Sequence, residues 1–86
     1  MFSLKFSNNA AKFIKKLEQK FKDRIEKKTN ELQKVPFPRD SVRVEKYKDY
    51  KVFRVRVGQF RILYSVDFNE KLIIIIDVGK RSNIYD

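Results

Sequence analysis

The stretch FRVRVGQFRILY, residues 53–64, decides the fold of this chain. Apolar and polar residues alternate on both sides of Gly58 and Gln59, and a two-residue loop that begins with glycine is typical of a type II′ turn between antiparallel strands. Such a turn sets the register, so that Arg56 lies opposite Arg61. The alternation predicts one basic face and one apolar face. The basic face carries Arg54, Arg56 and Arg61, and the apolar face carries Phe53, Val55, Val57, Phe60, Ile62 and Tyr64.

The basic face of this hairpin is costly for the fold, because like charges that oppose each other across two strands destabilise them. No Asp or Glu lies between Tyr50 and Val66 to neutralise the arginines. One interpretation is the solvated outer face of a sheet, where Lys and Arg are common. The other is an anion-binding face, because guanidinium groups bind phosphate oxygens in a bidentate manner. The missing counter-charges favour a face that binds phosphate.

The composition is that of one small, strongly basic domain. The chain has 86 residues, 42% of them hydrophobic, and a net charge of +10, which predicts a single domain over residues 1–86 with a modest core. The charge indicates an anionic partner, either nucleic acid, an acidic protein or a membrane surface. Four of the seven Arg lie in residues 54–81, so these later arginines are the better candidates for recognition.

The absent residue types restrict the chemistry. The chain contains no His and no Cys, which excludes imidazole acid–base pairs, disulfides and His or thiolate metal sites. Asp67 and Asp77 are isolated, and no glycine-rich phosphate loop precedes a helix. No metal or cofactor is therefore expected. The N-terminus has no apolar signal segment and residues 73–76 are too few to span a bilayer, so we expect a cytoplasmic protein that does not bind membranes.

Residue periodicity predicts a short first strand, two helices, and then three or four strands. The expected strands cover residues 2–6, 42–46, 50–57, 60–67 and 72–78. Residues 72–78 are apolar on both faces, as in a central buried strand. The predicted fold class is α+β, with a helical hairpin packed on one face of a small antiparallel sheet in the order β-α-α-β-β-β(-β).

The helical segment is predicted from apolar spacing over residues 10–35. Asn8 or Asn9 is expected to cap its start, and a turn near residues 20–23 is expected to divide it, with Asp23 as the second cap. One long helix is the weaker alternative. In either arrangement, Leu63 faces the side of the sheet that the helices leave open, so a C-terminal segment or a partner protein is expected to cover it.

The element order, together with FRVRVGQFRILY, IIIIDVGKR and a late tyrosine, resembles the RelE branch of the RelE/ParE toxin superfamily, most closely its compact members. The resemblance covers nearly the whole chain and is specific over residues 50–85. It implies a toxin of a type II toxin–antitoxin module that enters the ribosomal A site and cuts mRNA without metal, leaving a 2′,3′-cyclic phosphate. The implied partners are the ribosome with its mRNA and an acidic, helical, RelB-like antitoxin, which is expected to cover the open side or the basic surface.

The resemblance also assigns site residues. The family's basic strand pair, strand arginine, VGKR arginine and terminal tyrosine correspond in order to Arg54, Arg56, Arg61, Arg81 and Tyr85. These five are the expected catalytic residues, and Lys51 and Lys80 are expected to bind RNA beside them.

Two features of this sequence depart from the family pattern. Well-studied members have lysines in place of Arg54 and Arg56, and many carry a further helix after the tyrosine. Guanidinium is a very poor base, because its pKa lies above about 12. We therefore expect Arg54 and Arg56 to orient the phosphate and Arg61 to stabilise the transition state. Arg81 would assist the leaving oxygen and Tyr85 would stack on a base, while water or an RNA group accepts the proton.

Two other functions stay open at this point. The ParE branch shares the fold and inhibits DNA gyrase by protein binding, but usually lacks the full arginine–tyrosine set. The exchange of lysine for arginine also permits an inactive relic that only binds RNA or an antitoxin.

Overall fold

The computed structural model describes residues 1–80, and this part of the chain forms two helices and one five-stranded sheet. Along the chain the elements are β1 (Ser3–Phe6), α1 (Asn8–Lys15), α2 (Gln19–Lys34), β2 (Val42–Arg43), β3 (Phe53–Val57), β4 (Phe60–Asp67) and β5 (Leu72–Lys80). The strands lie in the order β1-β5-β4-β3-β2. The α+β class and the predicted order of elements are confirmed. Strand β2 is shorter and β5 is longer than their patterns suggested.

Strand β1 pairs with β5 in the parallel direction, with Ser3 opposite Leu72. The prediction of an antiparallel sheet is therefore wrong for this pair, although the other three pairs are antiparallel. A four-residue strand carries no local signal for the direction of its partner, because alternation specifies only which side chains share a face. This pairing places β5 between β1 and β4, which accounts for its apolar residues on both faces.

The β3–β4 hairpin has the predicted register, with Arg56 opposite Arg61 and Arg54 opposite Leu63. Gly58 has a φ of 57°, and Gln59 does not share this positive sign. A positive φ at the first loop residue alone is the pattern of a type II′ turn. The turn chemistry of two residues therefore determines which side chains of both strands face the solvent.

The N-terminal cap of α1 is Ser7, so the predicted cap at Asn8 or Asn9 is wrong. The Ser7 Oγ accepts a hydrogen bond from the Ala10 backbone N–H at 3.0 Å and donates one to the Ile76 carbonyl at 2.6 Å. Ile76 lies where the β4–β5 register shifts by one residue, a β-bulge. The contact that selects the cap is therefore made with a residue 69 positions away in sequence. The apolar periodicity of a helix cannot predict so distant a contact.

The break between the helices comes before Gln19, and Glu18 occupies the N-cap position of α2. The predicted turn over residues 20–23 and the cap at Asp23 are wrong. Asp23 lies within the first turns of α2 and accepts a hydrogen bond from the Gln19 side chain at 2.8 Å. Leu17, just before the break, packs against the main core. Tertiary packing thus ends α1 earlier than the apolar spacing indicates.

The main core lies between the two helices and one face of the sheet. Its buried side chains come from both layers, and they are Ala10, Ile25, Leu32, Val55, Phe60, Ile62, Tyr64, Ile73, Ile75 and Val78. Every member of the predicted apolar face of the hairpin belongs to this cluster or packs against it. The sequence prediction of the inner face of the hairpin is confirmed.

A second, smaller core lies on the opposite face of the sheet. Leu63 is only 2% exposed there, because it packs with Val44 and Val52 from the connection between β2 and β3. Tyr47 and Ile76 pack around this cluster. The expectation that a C-terminal segment or a partner covers Leu63 is corrected by this arrangement. A polar connection was able to supply the cover because Val44, Tyr47 and Val52 turn toward the sheet, whereas Tyr50 stays exposed.

The Tyr64 hydroxyl ties the chain after α2 to the main core. It donates a hydrogen bond to the Pro36 carbonyl at 2.7 Å. Burial raises the pKa of Tyr64 to about 12; a hydrogen bond with Ser41 acts in the opposite direction, and the negative charge of Asp40 adds to the increase. The neutral phenol is therefore the form that the folded protein stabilises.

Because Tyr64 has a pKa near 10 when unfolded and about 12 when folded, it stabilises the fold fully below pH 10. We expect this contribution, about 2 to 3 kcal/mol, to be lost as the pH rises from 10 to 12. A Tyr64→Phe variant should be less stable by about 1 to 2 kcal/mol at pH 8, because the Pro36 carbonyl loses its donor. Urea unfolding between pH 8 and 12 measures both effects. The exposed Tyr50→Phe variant is the matched control, and an equal loss of stability above pH 10 in wild type and Tyr64→Phe would contradict the assignment.

Candidate nucleic-acid interface

Three arginines lie on the face of the hairpin that points away from the helices. Arg56 is directly opposite Arg61, and Arg54 is opposite Leu63 on the same face. Diagonal neighbours of an antiparallel pair lie about 7 to 8 Å apart, so Arg54 and Arg61 are within reach of one ligand. The prediction that Arg54, Arg56 and Arg61 share a face is confirmed, and we call these residues the arginine face.

The three arginines differ in exposure, and Arg61 is the most buried of them. Arg61 is 9% exposed, whereas Arg54 is half-buried and Arg56 is exposed. The residue opposite Arg61 in β5 is Gly79, which contributes no side chain to that face. The neighbouring strand thereby leaves room for the Arg61 side chain to lie along the sheet. A buried guanidinium holds its orientation better than an exposed one, as precise recognition of a phosphate requires.

Sequence reasoning missed one carboxylate near the arginine face. Asp77 of β5 lies opposite Leu63, and the β-bulge beside this position brings it into the register diagonal to Arg61. Its Oδ1 accepts a hydrogen bond from the Val78 backbone N–H at 2.9 Å. Asp77 lies outside residues 50–66, and only the pairing of β4 with β5 brings it near the arginines.

The two lysines predicted to bind RNA lie away from the arginine face. Lys80 is opposite Phe60, so the strand register directs it to the side of the helices. Lys51 is exposed and lines a cleft with Tyr50, Phe68 and Ile74 at the other end of the hairpin. The strands therefore bring Arg54, Arg56 and Arg61 together without these lysines. Arg81 and Tyr85 lie outside the described residues, and their assignment stays a prediction.

A residue of α2 reaches the hairpin turn. The Arg24 Nη1 atom lies 3.7 Å from the position that a Cβ atom on Gly58 would occupy. Beside this contact, a cleft of about 250 Å³ separates α2 from the hairpin, and its lining residues are Arg24, Lys27, Lys28, Glu31, Arg56 and Val57. From sequence, the cations of α2 were indistinguishable from any solvated helix face. Only the packing of α2 against β3 places some of them beside Arg56.

Neither a metal-ligand cluster nor a membrane-spanning helix is found in residues 1–80. No group of three or more carboxylate, His or Cys side chains in this range is arranged to hold a metal ion. Neither helix has the length and apolar character needed to cross a bilayer.

Comparison with known proteins agrees with this architecture. Residues 3–85 match the family described as the ParE toxin of the type II toxin–antitoxin system parDE. A curated protein of Methanocaldococcus jannaschii, assigned as toxin RelE1, is 36% identical over 69 residues, which are 78% of this chain and 71% of that protein.

Solved structures of RelE toxins have the same fold. The archaeal RelE–RelB complex from Pyrococcus horikoshii contains a chain that superposes with a TM-score of 0.81 and 26% identity, covering 96% of this chain and 98% of that one. The RelB–RelE complex from Methanococcus jannaschii gives a TM-score of 0.70 and 27% identity, with 95% of each chain covered. Because the family match spans nearly the whole sequence, the chain belongs to the ParE toxin family within the RelE/ParE superfamily and is a RelE-like toxin of a type II toxin–antitoxin system.

Proposed function

We propose that this toxin is a metal-independent endoribonuclease that cuts mRNA in the A site of the ribosome. The observation that supports this activity best is the arginine face, where Arg56 opposes Arg61 and Arg54 lies diagonal to Arg61. The two guanidinium groups lie on one face of adjacent strands, and a phosphodiester between them would accept bidentate hydrogen bonds from both. The half-buried and buried side chains of Arg54 and Arg61 hold these donors in place.

In the proposed reaction, the ribose 2′-oxygen attacks the adjacent phosphorus in line, and the bond between phosphorus and the 5′-oxygen breaks. The products are a 2′,3′-cyclic phosphate and a 5′-hydroxyl. Arg54 and Arg56 orient the phosphate, and Arg61 stabilises the negative charge that grows on the pentacoordinate phosphorus. Because guanidinium is a very poor base, the 2′-hydroxyl proton goes to water or to an RNA group.

Two residues after Lys80 contribute further roles to this proposal. Arg81 donates a proton or hydrogen bond to the departing 5′-oxygen, and Tyr85 stacks on a base and holds the codon in a geometry for in-line attack. The ribosome supplies the remaining alignment, so activity on free RNA is expected to be low.

The proposed partners are the translating ribosome with its mRNA and an acidic, helical antitoxin. Two of the compared structures are complexes of RelE with RelB, which supports an antitoxin of the RelB kind. The net charge of +10 favours both partners, since each is anionic. We place the activity in the cytoplasm, where ribosomes translate.

A second function has one specific observation in its favour. The family that matches residues 3–85 is described as ParE toxins, and inhibition of DNA gyrase by protein binding is the corresponding alternative. An inactive protein that binds only RNA or the antitoxin is the third, because Arg54 and Arg56 cannot act as bases.

Primer extension on an mRNA translated in a reconstituted system tests all three functions. We expect discrete cuts at A-site codons, with cyclic-phosphate and 5′-hydroxyl ends, and far weaker cleavage of the same mRNA without ribosomes. Intact mRNA together with gyrase-dependent DNA breaks would support the ParE-like activity instead. If neither cuts nor breaks form, the protein is an inactive binder, and the endonuclease proposal is rejected.

A further inference from the structure

The cleft between α2 and the hairpin turn is lined mostly by cations. Its positive side chains come from two elements, with Arg24, Lys27 and Lys28 on α2 and Arg56 on β3. Val57 is the one apolar residue in the lining and Glu31 the one carboxylate. We call this site the α2–hairpin cleft.

The cations of this cleft are only partly paired within residues 1–80. Glu31 forms an ion pair with Lys28 at 3.6 Å, and Lys28 also binds Asp40 at 2.9 Å. In the described part of the chain, no ion pair or side-chain hydrogen bond engages Arg24, Lys27 or Arg56. Lys28 therefore neutralises the only carboxylate in the lining. Three further cations remain beside a space of about 250 Å³, an arrangement that attracts an anion.

Arg56 connects this cleft to the arginine face. Strand β2 pairs with Phe53 and Arg54 of β3, so within residues 1–80 no strand pairs with β3 on this side at Arg56. Its exposed side chain belongs to the arginine face by strand register and lines the α2–hairpin cleft as well. A chain of anionic groups that leaves the arginine face over this edge would next meet Arg24 and Lys27.

We propose that the α2–hairpin cleft is a second phosphate-binding site, which holds the RNA backbone next to the linkage bound at the arginine face. A repeating phosphodiester fits this site because its charges are spaced along a chain and the cations follow an edge. An amphipathic protein helix fits it poorly, since such a helix needs an apolar groove and Val57 alone cannot provide one. Arg24 and Lys27 thus bind phosphates of the RNA that take no part in the reaction, and they position the substrate without contacting the reacting atoms.

The choice of RNA as the ligand rests on the proposed function, so the test must measure binding separately from cleavage. A single-stranded RNA with 2′-O-methyl riboses cannot form the cyclic phosphate and is a suitable probe. Fluorescence anisotropy of this probe at several KCl concentrations gives the salt slope of the binding constant. Each phosphate contact on single-stranded nucleic acid contributes about 0.7 to that slope. Replacing both Arg24 and Lys27 with Gln should lower the slope by about 1.4.

The Lys12→Gln/Lys16→Gln double variant is the matched control. It removes the same charge from exposed positions within α1 and at its C-terminal cap, and we expect it to change the slope by less than half as much. The charge-preserving Arg24→Lys/Lys27→Arg variant should restore most of the wild-type slope. Thermal unfolding of all variants verifies that the exposed substitutions leave the fold intact.

Equal slope changes in the two double Gln variants would overturn the proposal, because bulk charge would then account for binding. A loss of antitoxin affinity with an unchanged RNA slope in Arg24→Gln/Lys27→Gln would also overturn it and assign the cleft to an acidic protein. If the salt slope of Arg24→Gln/Lys27→Gln falls as expected but the wild type never cuts mRNA, the cleft is supported as a phosphate-binding site and the endonuclease function is rejected. If the wild type cuts mRNA but the two double Gln variants have equal salt slopes, the cleft proposal is rejected and the endonuclease function stands.

Discussion

Replacing Arg61 with Gln is expected to lower kcat for the proposed ribosome-dependent mRNA cleavage by about 10²- to 10³-fold. Arg61 is the most buried residue of the arginine face, at 9% exposure. It is therefore the donor whose position relative to a bound phosphodiester varies least during the reaction. Stabilisation of transition-state charge by a fixed donor depends on this rigidity, because no reorganisation is then needed when the charge develops. Single-turnover primer extension with saturating programmed ribosomes gives the rate directly.

Two further variants separate the possible origins of such a loss. Arg61→Lys keeps the charge but removes the bidentate, planar donor, so it should recover only a small part of the rate. Arg39→Gln removes the same charge from an exposed loop position and should stay close to wild type. Full activity of Arg61→Gln, with its fold verified by circular dichroism, would remove Arg61 from the catalytic site. An equal loss in Arg39→Gln would indicate electrostatic attraction to the ribosome instead.

Replacing Phe60 with Ala is expected to lower the free energy of unfolding by about 3 to 5 kcal/mol. Phe60 is 2% exposed and makes edge-to-face contacts with Phe13 of α1 and Phe21 of α2, at ring-centroid distances of 5.9 and 5.2 Å. One ring at the start of β4 therefore joins both helices to the sheet. The loss is a large part of the roughly 5 to 15 kcal/mol that stabilises an ordinary domain, so the variant should be partly unfolded near 37 °C.

Urea unfolding at 25 °C measures this loss, and Phe68→Ala is the matched control. Phe68 is 60% exposed, so deletion of the same ring should cost less than about 1 kcal/mol. Phe60→Leu keeps much of the apolar volume and should recover most of the stability. A loss below about 1.5 kcal/mol in Phe60→Ala would show that the helices are held to the sheet by other contacts.

The hairpin was the part of the molecule most open to prediction from sequence. Local signals agree there, because alternation assigns each side chain to a face and a glycine-first loop sets the register. Arg54, Arg56 and Arg61 therefore reached the candidate site by sequence reasoning alone. The same argument explains why Tyr64 and Phe60 were correctly placed inside.

Features that depend on distant contacts were missed. Ser7 caps α1 because it also binds the carbonyl of Ile76 at the β-bulge, and Asp77 reaches the neighbourhood of Arg61 through the same irregularity. The position of Arg24 beside Gly58 follows from the packing of α2 on β3. None of these relations has a period or a spacing along the chain, so no pattern in the sequence could indicate them.

By itself, the sequence determined the class of elements, the turn, the inner and outer faces of the hairpin and the strong positive charge, since each follows from the geometry of neighbouring residues. Only the tertiary structure decided that β1 runs parallel to β5, that residues 44–52 cover Leu63, and that α2 brings further cations to the edge occupied by Arg56. Those outcomes depend on burying apolar surface between segments far apart in the chain. The free energy gained by this burial arises only when the helices and the sheet pack together.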